Sequence, residues 1–136
     1  MKSPCELVVW YLLPAIRSEL AKATIKERRF KQKDIAEKLG ITPAAVCQYI
    51  SEKRGQDFEF SEHIKRMIKN LAKRIVDEDL SEFVIMEDIC AICLEARKSG
   101  LLCEIHRRVE PDIPEKCDYW SKVEECVCKE PRVKGN

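Results

Sequence analysis

The sequence predicts an all-α fold: two short helices joined by a tight turn, then a long amphipathic helix, then a small Cys-rich region. Three observations carry that expectation. Glycine and proline are scarce, at 4 and 6 in 136 residues, and aromatics make up 7%, which suits helices better than turn-rich β architectures. Ile64, Met67, Ile68, Leu71, Ala72, Ile75 and Val76 repeat at helical spacing, the signature of one apolar helix face. Six of the eight cysteines fall after residue 89, away from the regular apolar pattern.

Composition bounds the class. Apolar residues are 45% and charged residues 36%, too apolar for a disordered tail and too charged for a membrane bundle. The longest apolar run, residues 7–16, is ten residues long and contains Pro14, whereas a membrane span needs about 20. Glu6 interrupts the opening apolar stretch, so a signal peptide is not expected, and the chain is expected to be cytoplasmic with reduced thiols. The net charge of +1 hides an asymmetry: residues 1–60 carry +3, residues 61–80 carry +1 and residues 81–136 carry −3. The same boundaries give three expected units, with a helix pair centred on 32–51 in the first, a connecting or dimerisation helix in the second and the Cys-rich region in the third.

Along the chain, Ser3-Pro4 is a helix start, with Ser as N-cap and Pro in the first turn. The helix that follows is expected over about residues 5–28, broken or kinked at Pro14. Trp10 and Tyr11 are expected to pack the core, as is Cys5. Ile35, Ala36 and Leu39 form a short apolar face, and Gly40 supplies the left-handed backbone that ends it. Thr42 caps a second short helix with Pro43 at its first position, and Val46, Tyr49 and Ile50 are its apolar side. Ser61 starts the long amphipathic helix, and Asp77-Glu78-Asp79 is unfavourable at a helix C-terminus, so a break is expected there. A further helix is expected over about 82–98, with Phe83-Val84-Ile85-Met86 equally readable as a strand. Beyond Gly100 only short pieces around Pro111 and Pro114 are expected, with a helix near 119–125.

Two constellations carry chemistry. In the first, Ala36 is small where two helices would cross, Gly40 makes the turn, and Ile35, Leu39, Ile41 and Val46 lock the pair. Residues 32–54 thereby resemble the phage-repressor, lambda repressor/Cro-like family of helix-turn-helix proteins. Gln32, Ala36, Gly40 and Val46 stand where that family has its Gln, Ala, Gly and apolar lock, and Lys53-Arg54-Gly55 resembles its ending. The resemblance implies a domain that binds double-stranded DNA as a homodimer. Gln32 would contact phosphate, Thr42, Pro43, Ala44 and Gln48 would face the major groove, and Lys53 and Arg54 would contact phosphate. Pro43 and Ala44 depart from the polar residues common there, which leaves Gln48 for adenine and Ala44 for a thymine methyl.

The second constellation is Cys90-x2-Cys93, then Cys103-x2-His106, then Cys117. Cysteines three apart on a helix share a side, which suits thiolates reaching one metal. Cys90, Cys93, Cys103 and His106 would make a closed zinc site, whereas Cys117 as fourth ligand would equally hold an iron–sulfur cluster. The plainer alternative is buried free thiols packing as small hydrophobes. The whole chain also resembles small, predicted archaeal transcription regulators that open with Pro-Cys-Glu, here Pro4-Cys5-Glu6, and end Cys-rich. That resemblance shifts the preference to iron–sulfur. A transcription regulator with one metal centre is therefore expected, not an enzyme. The alternatives are a zinc-stabilised nucleic-acid or protein interaction module without an operator, and a thiol redox protein built on Cys90 and Cys93.

Overall fold

The computed structural model describes residues 3–27, 30–51 and 59–112. Their regular secondary structure is all helical, with no strand among the described residues. The chain opens with α1 (Pro4–Leu7), continues without a gap into a π-helical turn (Val8–Leu12), and runs on as α2 (Leu13–Ile25). Ser3 caps the start, its Oγ accepting from the Glu6 N–H at 3.4 Å. Pro14 does not break the rod. It sits in the first turn of α2, straight after the π turn. There the wider i→i+5 geometry accommodates a ring and a missing N–H that a regular α turn would not.

The short helices α3 (Gln32–Leu39) and α4 (Pro43–Ser51) follow, with α5 (Glu62–Asp77), α6 (Glu82–Lys98) and α7 (Leu101–Val109) beyond them. The Ser61 and Ser81 hydroxyls accept the Ile64 and Val84 N–H groups at 3.3 Å, capping α5 and α6. Phe83 to Met86 is helix, the strand alternative losing to the Ser81 cap and to a helix long enough to bury Ile85, Ile89, Ile92 and Ala96 on one side. Helix α7 is not among the sequence expectations. It begins at Gly100 (φ 84°) and buries Leu101, Leu102 and Ile105.

The principal core is built from the first and last of these stretches. Leu7, Leu12, Ile16 and Leu20 from the first rod meet Ile64, Leu71 and Ile75 of α5, Ile85 and Ile92 of α6, and Leu102 of α7. The rod supplies the centre, with α2 packed on α5 and α4, and α1 on α7. The apolar stripe of α5 is thus spent inside the chain: Ile64, Ile68, Leu71, Ala72 and Ile75 are buried, and Met67 is half-buried against the same core. Trp10, expected in the core, is 66% exposed, because Leu7, Val8 and Leu12 take the inward side of the π turn.

A second, smaller core of Ala21, Ile35, Ala36 and Val46 holds α3 and α4 against α2. Phe30 and Leu39 pack against both cores. Two polar ties supplement it. The buried Ser18 hydroxyl donates to the Tyr49 carbonyl at 3.0 Å, and the Lys38 ammonium donates to Asp79 at 2.8 Å and to the Leu80 carbonyl at 2.9 Å. No helix among the described residues is long and apolar enough to cross a membrane.

Candidate nucleic-acid interface and cysteine cluster

The turn between α3 and α4 is built by its residue types. Gly40 lies at φ 65°, its N–H donates to the Glu37 carbonyl at 3.3 Å, and the Ile41 N–H donates to Ala36 at 3.0 Å. That paired bonding closes a helix end around one left-handed residue. Thr42 then opens α4, its Oγ1 accepting the Ala45 N–H at 3.1 Å. Asp34 reaches back to accept the Lys31 N–H at 2.9 Å, fixing the start of α3. Ala36 is 3% exposed and Val46 0%, so the small residue and the apolar lock both lie in the interface of the pair. Leu39 and Ile41 are only half-buried, packed at the edge of the small core.

With Val46 turned inward, the opposite face of α4 is open. Pro43, Ala44, Cys47, Gln48 and Ser51 are exposed, and Ala44, Cys47, Gln48 and Ser51 follow i, i+3, i+4, i+7 spacing. Thr42 precedes them, also exposed, and Gln32 is exposed at the first position of α3 beside Lys31 and Lys33. Five of the residues expected to meet DNA therefore lie on exposed surface of one helix pair. Lys53 and Arg54 lie outside the described residues. Cys47 was not among the expected contacts, although its position between Ala44 and Gln48 puts it on the same stripe.

The cysteine cluster divides. On α6, Cys90 is exposed and Cys93 is buried. On α7, Cys103 and His106 are buried, each 6% exposed, and the buried His106 Nε2 has no hydrogen-bond partner among the described residues. A buried ring nitrogen without a partner is costly. Cys117 lies outside the described residues, as do Cys126 and Cys128. Among the described residues no three His, Cys, Asp or Glu side chains form a group that could hold a metal ion. Cys5 is exposed on α1, not packed in the core as expected, and Cys47 is exposed. His63 is exposed in the first turn of α5, with its Nε2 3.7 Å from Glu95.

Comparison of the chain with protein-family models, with curated proteins and with solved structures finds no match in any of the three.

Proposed function

We propose that this chain is a sequence-specific, double-stranded-DNA-binding transcription regulator of the repressor-like helix-turn-helix kind. In this reading it is cytoplasmic, homodimeric and not an enzyme, with α4 as the recognition helix. The observation that carries the reading is the division of α4 into an inward side anchored by Val46 and an outward side of Ala44 and Gln48 behind the exposed Thr42-Pro43 start. A helix in the major groove needs its N-terminal side chains at the base edges and a rigid partner helix behind it. Lys31 and Lys33, exposed beside Gln32, suit the phosphate backbone on either side.

Selection from a pool of random duplexes tests this. One sequence should be enriched, and its binding should weaken steeply with salt. Gln48→Ala should cost about 1–3 kcal/mol on that sequence and relax preference at one base pair. Equal binding to random and selected duplexes, or unchanged binding by Gln48→Ala, overturns the assignment of α4.

The C-terminal region, in the same proposal, holds one metal centre. A four-Cys set of Cys90, Cys93, Cys103 and Cys117 would bind an iron–sulfur cluster, and replacing Cys117 by His106 would give a zinc site. The buried Nε2 of His106, without a partner among the described residues, supports a ligand role for that ring, although no three of Cys90, Cys93, Cys103 and His106 stand as one group there. Iron, sulfide and zinc analysis of anaerobically purified protein separates them. His106→Ala should empty a zinc site and leave a four-Cys cluster loaded, and Cys117→Ala should do the reverse.

A second reading, a metal-stabilised interaction module, is favoured by the exposed Val9, Trp10, Phe83 and Met86. It predicts binding to a protein partner with no enriched duplex. A thiol redox protein is less well supported, because Cys90 and Cys93 sit mid-helix in α6, away from the helix N-terminus that activates such thiols.

A further inference from the structure

An open groove of about 710 Å3 lies between α2, the end of α3 and the first half of α6. Its α6 wall is unusual for exposed surface. Phe83 is 62% exposed and Met86 50%, and both line the groove opposite Leu13 and Arg17 of α2. The third side is the Leu39-Gly40 turn of the helix pair. The volume is that of a small-molecule site, for which about 300–1,000 Å3 is usual.

The charged groups in the groove differ in how they are satisfied. Lys38 is held by Asp79 and the Leu80 carbonyl. Elsewhere Arg74 is met by Glu78 and Asp88, and Arg108 by Glu104. Among the described residues Arg17 has no such acid, although Glu82 lines the same groove, and its buried Nε has no hydrogen-bond partner there. With the Nε buried, the two terminal amino groups are what an occupant of the groove would meet, and their planar end matches a carboxylate in size and geometry. One available cation, with the Glu82 carboxylate nearby, suits a single negative charge better than a phosphate's two.

We propose that this groove binds a small amphipathic monocarboxylate, its acid group on Arg17 and its apolar body against Phe83, Met86 and Leu13. Because the groove ends on the turn between α3 and α4, an occupant touches the element that sets the attitude of α4. Only that regulatory consequence rests on the DNA-binding reading. The binding itself does not, and it is measured on the free protein.

The test is calorimetric titration of the full chain with 2-naphthoate and decanoate, and with 2-naphthamide as the uncharged match. The acids should bind one per chain, at least about tenfold more tightly than the amide. Arg17→Gln should remove that preference and leave amide binding unchanged. Met86→Trp, at an exposed position that fills the groove, should abolish both. Glu82→Gln should tighten the acids severalfold, and the distant Lys65→Gln should change nothing. Equal affinity for acid and amide, wild-type binding by Arg17→Gln, or no binding at millimolar probe overturns the proposal. So does sedimentation showing that the groove is closed by self-association and that Met86→Trp breaks the dimer. Should Arg17→Gln fail to fold, Arg17→Lys and Met86→Trp carry the test: charge without the fork should lose affinity severalfold, and wild-type binding by both variants refutes the site.

Discussion

The α3/α4 pair and the bundle beneath it bury apolar side chains on different scales. Among the described residues the pair rests on four buried side chains, Ala21, Ile35, Ala36 and Val46, whereas the bundle core gathers twenty. The bundle can therefore rely on area, since burial stabilises roughly in proportion to apolar surface removed from water. The pair cannot, and its position depends on specific devices: a small residue at the crossing, a left-handed glycine, and two polar ties from Ser18 and Lys38. The two regions meet in α2, where Leu20 belongs to the large core and its neighbour Ala21 to the small one.

The contrast is sharpest for a truncation in the bundle. Leu20 is 0% exposed, and Leu20→Ala should cost about 2–5 kcal/mol, the range for cavities in packed cores. Urea unfolding followed by circular dichroism should show the whole helical signal lost together at lower denaturant. Survival of α5 and α6 after α2 has melted would mean the bundle is not one cooperative unit. Overpacking the small core should act differently. Ala36→Leu should cost about 1–3 kcal/mol and should loosen α3 and α4 alone. Native-state hydrogen exchange should then quicken in α4 while α5 keeps its protection, and uniform quickening would mean that the two cores open as one unit.

The two left-handed glycines give a finer comparison. Gly100→Ala meets nothing within 4 Å, so it should cost only the backbone term, about 1 kcal/mol. Gly40→Ala carries the same backbone cost, and its new methyl also lands on the Glu82 carboxylate. It should be the more damaging of the two, and Glu82→Ala should recover part of the loss at 40 and none at 100 in a double-mutant cycle.

The smallest expected effect is electrostatic. The hydrogen bond from Lys38, and then its charge, hold the Asp79 carboxyl below its ordinary value. A depressed carboxylate contributes stability that is present above its unfolded pKa and is lost as pH falls through the folded one. Lys38→Met should therefore flatten the fall in stability at pH values below the ordinary carboxylate range. Asp79 is fully exposed, so solvent screening keeps the change small. An unchanged profile would assign the Lys38 tie to the Leu80 carbonyl alone.

Much of this architecture is legible residue by residue. The stripe from Ile64 to Ile75 has helical spacing and a Ser61 cap, and α5 follows (Glu62–Asp77). Gly40, Thr42 and Pro43 punctuate the helix pair where local chemistry places them. Helix α7 is harder to see, because it is nine residues long and starts on Gly100 with no side-chain cap. Its signal was present in Leu101, Leu102, Ile105 and Val109, but the Cys-x2-His spacing in the same stretch invites a reading as ligands first. The helix pair's exposed face was legible because a lock residue such as Val46 dictates what points away from it.

What the sequence by itself determined is local: caps, the left-handed turn, and the apolar period of each helix, all set by interactions spanning a few residues. What only the tertiary structure decided is which side of an ambiguous helix faces inward. The run from Val8 to Leu13 is apolar all round, so nothing within it selects Trp10 for solvent; the packing of α1 on α7 and of α2 on α5 does. Cys90 and Cys93 share a helix and a spacing, yet one is exposed and the other buried, because burial on α6 follows the side turned to α5 and α7. Arg17 is one of twenty-five basic residues in the sequence. Its place in the wall of the groove exists only because α2, α3 and α6, distant along the chain, are brought side by side by the burial of their apolar faces.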